Sequence, residues 1–227
     1  SGAVAGSLWA GPASAYFLTG SNVWINEFHY DNTGNDTGEF IELAGTAGLD
    51  LTGWQLVLYN GNVPGAATVY DTRGISGIIP NQSNGFGTIS FSYPVNGIQN
   101  GGNDAIALRD SEGTLRQFLS YEGTAIGSGG PANGVTSTDT GVSQPSTAPI
   151  GSSVRLTGTG TQYSDFTWEY LPGGATAGAI NDGQTFSTVT PPPPPPPPTR
   201  TIAEIQGAGH ASPFANTAVT TDGVVTA

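Results

Sequence analysis

The sequence predicts an all-β protein built as an antiparallel β-sandwich, and three observations point to that fold class. Nine short apolar segments are separated by turns rich in Gly, Asn, Ser and Asp, which is the pattern of strands in a two-sheet sandwich. The composition agrees, because the 227 residues include 35 Gly and 17 Pro while only 10% are charged. No stretch shows an amphipathic helical period of useful length.

Five of the predicted strands have a distinctive hydrophobic pattern or position. Val23–Phe28 and Phe40–Leu43 flank a polar turn, and Trp54–Tyr59 is continuously apolar, as expected of a central strand. Ser90–Tyr93 and Phe166–Tyr170 alternate between apolar and polar residues, which predicts one buried face and one solvated face. The other predicted strands are Thr68–Asp71, Ala105–Arg109, Leu115–Tyr121 and Ser153–Leu156.

The predicted core collects apolar members of these strands. They are Ile25, Phe40, Ile41, Leu56, Leu58, Phe91, Ile106, Leu108 and Trp168. Four further aromatic residues, Trp24, Tyr30, Trp54 and Tyr59, are expected to pack in the core rather than to form exposed stacking platforms.

Changes in composition divide the chain into four segments. Residues 22–187 carry the strand pattern and form the predicted sandwich, with a long Gly/Ser/Thr/Pro loop at Gly127–Gly151. The linker, residues 188–199, contains eight consecutive prolines, Pro191–Pro198, which adopt polyproline II and span roughly 25 Å as a semi-rigid spacer. Residues 200–227 follow it. Residues 1–21 begin with a small, apolar stretch ending in Ala13-Ser14-Ala15, which fits either a signal-peptide remnant or an N-terminal arm.

The charge balance and the absence of cysteine exclude several classes of site. The chain has no Cys, which excludes disulfides and thiolate metal sites, and no apolar run long enough to span a bilayer. Its net charge is −12, and residues 1–190 hold four Arg against 15 acids, a net charge of −11. Phosphate binding depends on basic patches, so direct nucleic-acid binding by residues 1–190 is not expected.

The turn between the first two predicted strands is the main candidate site. Glu27, Asp31, Asp36, Glu39 and Glu42 lie close together in sequence with no basic residue among them. Ca²⁺ takes six to eight oxygen ligands, so Asp31, Asp36 and Glu39, with loop carbonyls and water, form a candidate calcium site. The spacing does not match an EF-hand. The alternative is that Asp and Asn are present because they stabilise turns.

No catalytic residues are assigned. The two histidines are His29 and His210, and no nucleophile motif accompanies either. His29 lies at a strand end beside a turn, so we expect a surface residue with a local hydrogen bond.

Several segments together resemble a known family. INEFHYDN, DTGEFIEL and GWQLVLYNG, followed by YPVNGIQNGGNDAIAL, QFLSYEGT, LTGTGTQYSDFTWEY and GQTF, resemble a bacterial, secreted lamin-tail domain over residues 22–187. The resemblance implies an immunoglobulin-like β-sandwich. After the prolines, Glu204–Phe214 resembles the start of an OB-fold, which predicts strands at IAEIQG and Ala218–Ala227. Secreted bacterial nucleases of the endonuclease/exonuclease/phosphatase type combine such domains.

Two functions remain open at this point. The first is a non-catalytic accessory region that anchors or positions a secreted, metal-dependent nuclease whose catalytic residues follow Ala227, with the downstream domains of the same chain as partners. The second is an extracellular structural or adhesive module that assembles with copies of itself or cell-surface components through unpaired strand edges. Both imply a secreted or cell-surface bacterial protein.

Overall fold

The computed structural model of the chain describes residues 16–17, 22–63, 65–188, 199–208, 211, 213–216 and 218–221. They belong to two compact units, Ser1–Val189 and Thr190–Ala227. The predictions for residues 1–15, for the prolines Pro191–Pro198 and for His210 concern positions outside the described residues and stay predictions.

The first unit is built from short strands, as its sequence pattern predicts. The described strands are β1 (Tyr16–Phe17), β2 (Val23–His29), β3 (Phe40–Thr46), β4 (Trp54–Asn60), β5 (Ala67–Ile75), β6 (Phe86–Ser92), β7 (Ala105–Arg109), β8 (Leu115–Ser120), β9 (Gly127–Ser128), β10 (Thr138–Asp139), β11 (Ser153–Gly160), β12 (Phe166–Leu171) and β13 (Gln184–Phe186).

These strands form two sheets. The first sheet has the order β1-β8-β7-β4-β5-β9, with β10 also paired to β8, and the second has the order β12-β11-β2-β3-β6, with β13 also paired to β11. Neighbouring long strands are antiparallel, whereas the two- and three-residue strands β9, β10 and β13 pair in parallel. The predicted immunoglobulin-like sandwich is confirmed.

The nine predicted strands all correspond to observed strands, with bounds that differ by a few residues. Four further strands, β1, β9, β10 and β13, were not predicted, and each is only two or three residues long. Such short strands have no periodicity to detect, and they exist because a longer strand offers them backbone partners. Two of them, β9 and β10, lie in or at the start of the predicted loop Gly127–Gly151, so that loop is part of the first sheet.

The main core fills the space between the sheets, and the predicted core residues are buried with one exception. Trp168 is only half-buried, at the margin of the core. The four aromatic residues expected to be buried, including Trp24 and Tyr59, are at most 8% exposed. The completely buried members of the main core are Val23, Ile25, Phe28, Tyr30, Ile41, Leu43, Leu51, Leu56, Leu58, Ile106, Leu108 and Val154.

Two smaller apolar clusters lie outside the main core. Trp24 packs with Phe86, Phe166 and Phe186, at ring-centroid distances of 6.0–6.4 Å. Around Tyr59 and Phe118, a second cluster is completed by Ala125 and Ala132 from the segment that follows β8. Segments late in the sequence therefore cover sheet residues that would otherwise be exposed to water.

The second unit differs from its prediction. Ile202–Gln206, expected to be a strand, form a short helix, α1. Thr201 caps it, because its side chain accepts a hydrogen bond from the Glu204 backbone while the Glu204 carboxylate accepts one from Thr201 N at 2.8 Å. This capping box stabilises a helix start, so the first predicted strand of the OB-fold is wrong. The described helices include none with the length and apolarity of a membrane span.

Candidate functional site

The acid-rich turn between β2 and β3 is held together by its own side chains. Asn32 is the centre of this network: its Oδ1 accepts from Thr37 N at 2.8 Å, and its Nδ2 donates to Asn35 O at 2.9 Å. The Asp36 carboxylate accepts from Asn32 N at 2.8 Å. These contacts are those by which Asn and Asp residues stabilise turns. Turn stabilisation, the alternative to a calcium site, therefore accounts for Asn32 and Asp36.

The β6–β7 loop, residues 93–104, packs against this turn and is held by buried carboxylates. Glu39 accepts from Gly97 N at 2.7 Å and from Ile98 N at 2.9 Å. Asp104 accepts from Gly101 N at 2.9 Å in the same loop and from Gly61 N at 2.7 Å. Backbone amides in a loop need an acceptor when they are buried, and here side-chain carboxylates supply it.

Four acidic side chains at this end of the sandwich, Asp31, Glu39, Asp104 and Glu122, have raised pKa values. Burial raises the pKa of Glu39 to about 7, although its two backbone hydrogen bonds act in the opposite direction. Burial, followed by repulsion from Asp36, raises the pKa of Asp31. Burial also raises the pKa of Asp104 and of Glu122. Desolvation dominates each shift because a carboxylate loses more hydration than its few donors replace.

His29 is buried, with 1% exposure, so the prediction of a surface position is wrong, although its local hydrogen bonds are present. Its Nε2 lies 3.1 Å from Asn32 Oδ1 and its Nδ1 lies 2.9 Å from Gln144 Nε2. Gln144 also accepts from Tyr30 N at 2.7 Å and donates to Ser152 Oγ at 2.7 Å. Both ring nitrogens of His29 are thus engaged in fixing the end of β2.

The predicted calcium ligands lie at one end of the sandwich, but their carboxylates already have partners. Both oxygens of Glu39 accept backbone hydrogen bonds, and those of Asp36 accept from Asn32 N and from Asn100 Nδ2 at 3.2 Å. Across the described ranges, no group of three or more His, Asp or Glu side chains is arranged to hold a metal ion. Calcium binding by Asp31, Asp36 and Glu39 stays a prediction.

If Ca²⁺ binds at this turn, millimolar Ca²⁺ should raise the melting temperature above that measured with a chelator, because a ligand of the native state stabilises it. The measurement is a thermal melt of the purified chain under both conditions. The Asp36→Ala variant should lose the calcium effect, and Glu112→Gln, at an exposed site away from the turn, should keep it. A wild-type melting temperature that is identical with Ca²⁺ and with chelator would show that these acids only accept hydrogen bonds from the loops and bind no calcium.

The remaining two acids of the segment, Glu27 and Glu42, lie in a separate polar cluster. A register shift between Ile25 and Glu27 in the β2–β3 pairing marks a β-bulge, and the Asn26 side chain donates to Glu42 Oε1 at 3.0 Å. Asn26 also exchanges two hydrogen bonds with Gln184, of 2.7 and 3.0 Å. The five acids lie close together in sequence, whereas the structure divides them between two sites.

The partners of these acids could not be found from the sequence. Asn26 is next to Glu27 in sequence, but its side chain donates to Glu42 on β3, and the β-bulge at this position places it there. Gln144, Thr176 and Gln184 contact β2 across more than 100 intervening positions. Their residue types are typical of loops, and no local pattern distinguishes them from the other Gln and Thr residues of the chain.

Comparisons with known proteins agree with this architecture. The family model described as Lamin Tail Domain matches residues 18–123. That range contains β2 to β8, the acid-rich turn and the β6–β7 loop. The resemblance to lamin-tail domains is therefore confirmed over residues 18–123. The search of curated proteins found no match, and the search of solved structures found none either.

Proposed function

We propose that this chain is a non-catalytic accessory region that anchors or positions a secreted, nuclease-like protein. The observation that carries the proposal is that four buried carboxylates of the sandwich serve as acceptors for loop backbone amides. Glu39 and Asp104 each hold two such amides, and Glu27 and Glu42 hold amides of a third loop. Carboxylates used in this way stabilise a scaffold and are not free to act on a substrate.

The family match supports the accessory part of the proposal, since a lamin tail domain is an immunoglobulin-like module. The nuclease part is supported only by the sequence resemblance of Glu204–Phe214 to the OB-fold of secreted bacterial nucleases. The net charge of −11 over residues 1–190 argues against direct contact between the sandwich and a nucleic-acid backbone. The sandwich would then determine where the protein is held, while domains further along the chain act on the substrate.

The purified chain, residues 1–227, is expected to leave supercoiled plasmid DNA intact. The measurement is a gel assay with Mg²⁺, Mn²⁺ or Ca²⁺, with a known nuclease as the positive control. His29→Ala is the matched variant, because His29 is one of only two histidines in the chain. Reproducible nicking that copurifies with the wild-type chain would overturn the proposal, and the His29→Ala variant would show whether His29 takes part in it.

The anchoring role is tested in the full-length protein. Deletion of residues 22–187 should leave the nuclease rate on free DNA unchanged and reduce retention of the protein at the cell surface, measured by fractionation. Loss of the rate together with unchanged retention would contradict the accessory role.

The second function, assembly into an extracellular layer or filament, is favoured by one observation. Edge strand β6 is protected from pairing with a strand of another chain, because Gln82 accepts a hydrogen bond from Thr88 N at 2.8 Å and Arg73 donates one to Ser92 O. At the opposite edge of the second sheet, no described strand pairs with the outer side of β12. An unpaired edge can accept a strand from another chain. Sedimentation over a range of concentrations separates the two functions: a monomer supports the first, and large assemblies support the second.

A further inference from the structure

Strand β12, Phe166–Leu171, forms an open edge of the second sheet. On one side it pairs with β11 over six consecutive residue pairs, from Ser153↔Leu171 to Gly158↔Phe166, without a register shift. On its other side, no described strand pairs with it. A regular strand with one unpaired side is the kind of edge that another strand can extend.

The other edges of the two sheets are covered or irregular. Gln82 and Arg73 bind backbone groups of β6, and the edge of β8 is covered by β1 and β10. In the first sheet, β5 pairs with β9 only at Ala67 and Thr68. The rest of β5 contains a register shift in its pairing with β4 and carries Asp71 and Arg73. Bulges and charged side chains are features by which edge strands avoid pairing, so β12 is the edge best suited to it.

The backbone groups that β12 presents at this edge belong to Trp168 and Tyr170. In an antiparallel pair, the N–H and C=O of one residue point to the same side of the strand, and successive residues alternate. Leu156 O on β11 accepts from Asn181 Nδ2 at 2.9 Å, so Leu156 points away from β12. Leu156 lies opposite Trp168. The backbone groups of Trp168 and Tyr170 therefore point away from β11, to the open side, while the residues on either side of Trp168 bond to β11.

The side chains of β12 divide between the two faces of the sheet. Trp168 and Tyr170 are half-buried, and the Trp168 ring centroid lies 5.5 Å from that of Phe28 at the margin of the main core. Thr167 and Glu169 are exposed. A strand added at this edge would cover more of the two aromatic rings, while the charge of Glu169 stays on the outer face.

A second copy of β12 fits this edge in an antiparallel register that places Trp168 opposite Trp168 of the other copy. In this register Trp168 N donates to Trp168 O of the other copy, and Tyr170 N donates to Phe166 O, with the same bonds repeated by symmetry. The Phe166 N–H is not needed, because it already bonds within its own chain. On the outer face, Glu169 lies opposite the uncharged Thr167 of the other copy.

Neighbouring registers are disfavoured by the residues that they bring together. Moving the centre of the pair by one residue toward the N-terminus places Glu169 opposite Asp165, and moving it by one residue toward the C-terminus places Glu169 opposite itself. Like charges directly opposite each other destabilise a sheet. A further step toward the C-terminus places Trp168 opposite Pro172, which has no N–H to donate. The strand is therefore complementary to itself in the register centred on Trp168.

We propose that the chain forms a two-fold symmetric dimer in which two β12 strands pair in this register and join the two second sheets into one. Each copy uses its own open edge, so the assembly closes at two chains and does not grow into a layer or filament. The dimer goes beyond the accessory role and does not depend on it. If both hold, the dimer would keep two copies of the following domains at one location.

Sedimentation and hydrogen exchange of the purified chain test the dimer and the edge that forms it. Sedimentation over a range of concentrations should show a monomer–dimer equilibrium without larger species. The amides of Trp168 and Tyr170 should be protected about tenfold or more in the dimer relative to the monomer, whereas those of Thr167 and Glu169 should be protected in both, because they bond to β11. The proposal is overturned by a chain that stays monomeric, by larger assemblies, or by a dimer in which the Trp168 and Tyr170 amides stay unprotected.

Charge variants of Thr167 test the register. Thr167→Lys places a lysine opposite Glu169 of the other copy at two symmetric positions, whereas Thr167→Glu places a second acid there. At low ionic strength the dissociation constant should fall roughly fivefold in the first variant and rise roughly fivefold in the second. Thr167 is exposed, so both variants should fold.

Thr72→Lys and Thr72→Glu are the matched controls, because Thr72 is exposed on β5 and these variants change the net charge by the same amounts. Their effects on the dissociation constant should be much smaller, and effects equal to those at Thr167 would overturn the register. A monomeric chain would overturn the dimer and leave the accessory role intact. DNA cleavage by the purified chain would overturn that role and leave the dimer intact.

Discussion

Phe28→Ala should lower the free energy of unfolding by about 3–5 kcal/mol, the usual cost of removing a large buried aromatic ring. Phe28 has 0% exposure and lies between the sheets. Its ring centroid is 5.8 Å from Tyr30, 5.6 Å from Tyr121 and 5.5 Å from Trp168. The alanine variant therefore loses the burial of one ring and three aromatic contacts, and leaves a cavity that rigid neighbouring strands cannot close. Urea denaturation followed by circular dichroism measures the loss.

Trp168→Ala is the matched comparison, and we expect it to cost less than Phe28→Ala. The sequence places Trp168 in the predicted core, and a fully buried ring there would give a similar cost. In the structure the ring is half-buried, and its Nε1 donates to Tyr163 Oη at 3.0 Å. A partly exposed ring has already kept part of its hydration, so less transfer free energy is lost on truncation. A greater loss for Trp168→Ala than for Phe28→Ala would contradict this account of the core.

The fold was largely predictable because its long strands have strong local signals. In β12, for example, Phe166 is buried, Thr167 is exposed and Trp168 is half-buried, which follows the alternation seen in the sequence. The helix α1 was missed even though its capping box, Thr201 and Glu204, is a local pattern. An apolar segment as short as IAEIQ satisfies both strand and helix patterns, and the capping residues were the signal that distinguished them.

The candidate site was only partly predictable, because sequence proximity does not determine which way a side chain points. Glu39 and Glu42 are three residues apart, and strand alternation alone predicts that they face opposite directions. The structure agrees: Glu39 accepts hydrogen bonds from the β6–β7 loop, and Glu42 accepts one from Gly178 in the segment between β12 and β13. The sequence does not identify the distant backbone amides that donate hydrogen bonds to these carboxylates, because the loop conformation determines which amides lack a backbone partner.

The stability of the sandwich should fall as the pH rises from 5 to 9, and this is the second large effect that we expect. In the folded state the pKa of Glu39 is raised to about 7 and that of Glu42 to about 8, from ordinary values of 4.5. Between pH 4.5 and these values the folded chain keeps protons that the unfolded chain has released. Each such proton costs about 1.4 kcal/mol of stability per pH unit. The shifts of Asp31, Asp104 and Glu122 have the same sign.

The loss should level off above about pH 8, where Glu42 ionises in the folded state as well. The carboxyl groups with lowered pKa values, Asp110 and Asp165 among them, have ordinary values of 3.8 and so act below this window. The measurement is the urea unfolding free energy at each pH unit from 5 to 9. Glu42→Gln should remove the part of the slope between pH 7 and 8, because Glu39 no longer contributes there, whereas the exposed control Glu112→Gln should keep the wild-type slope. A wild-type stability that is constant or rises over this range would show that the buried carboxyl groups are ionised in the folded sandwich, and that the loop amides they bind are sufficient to replace water.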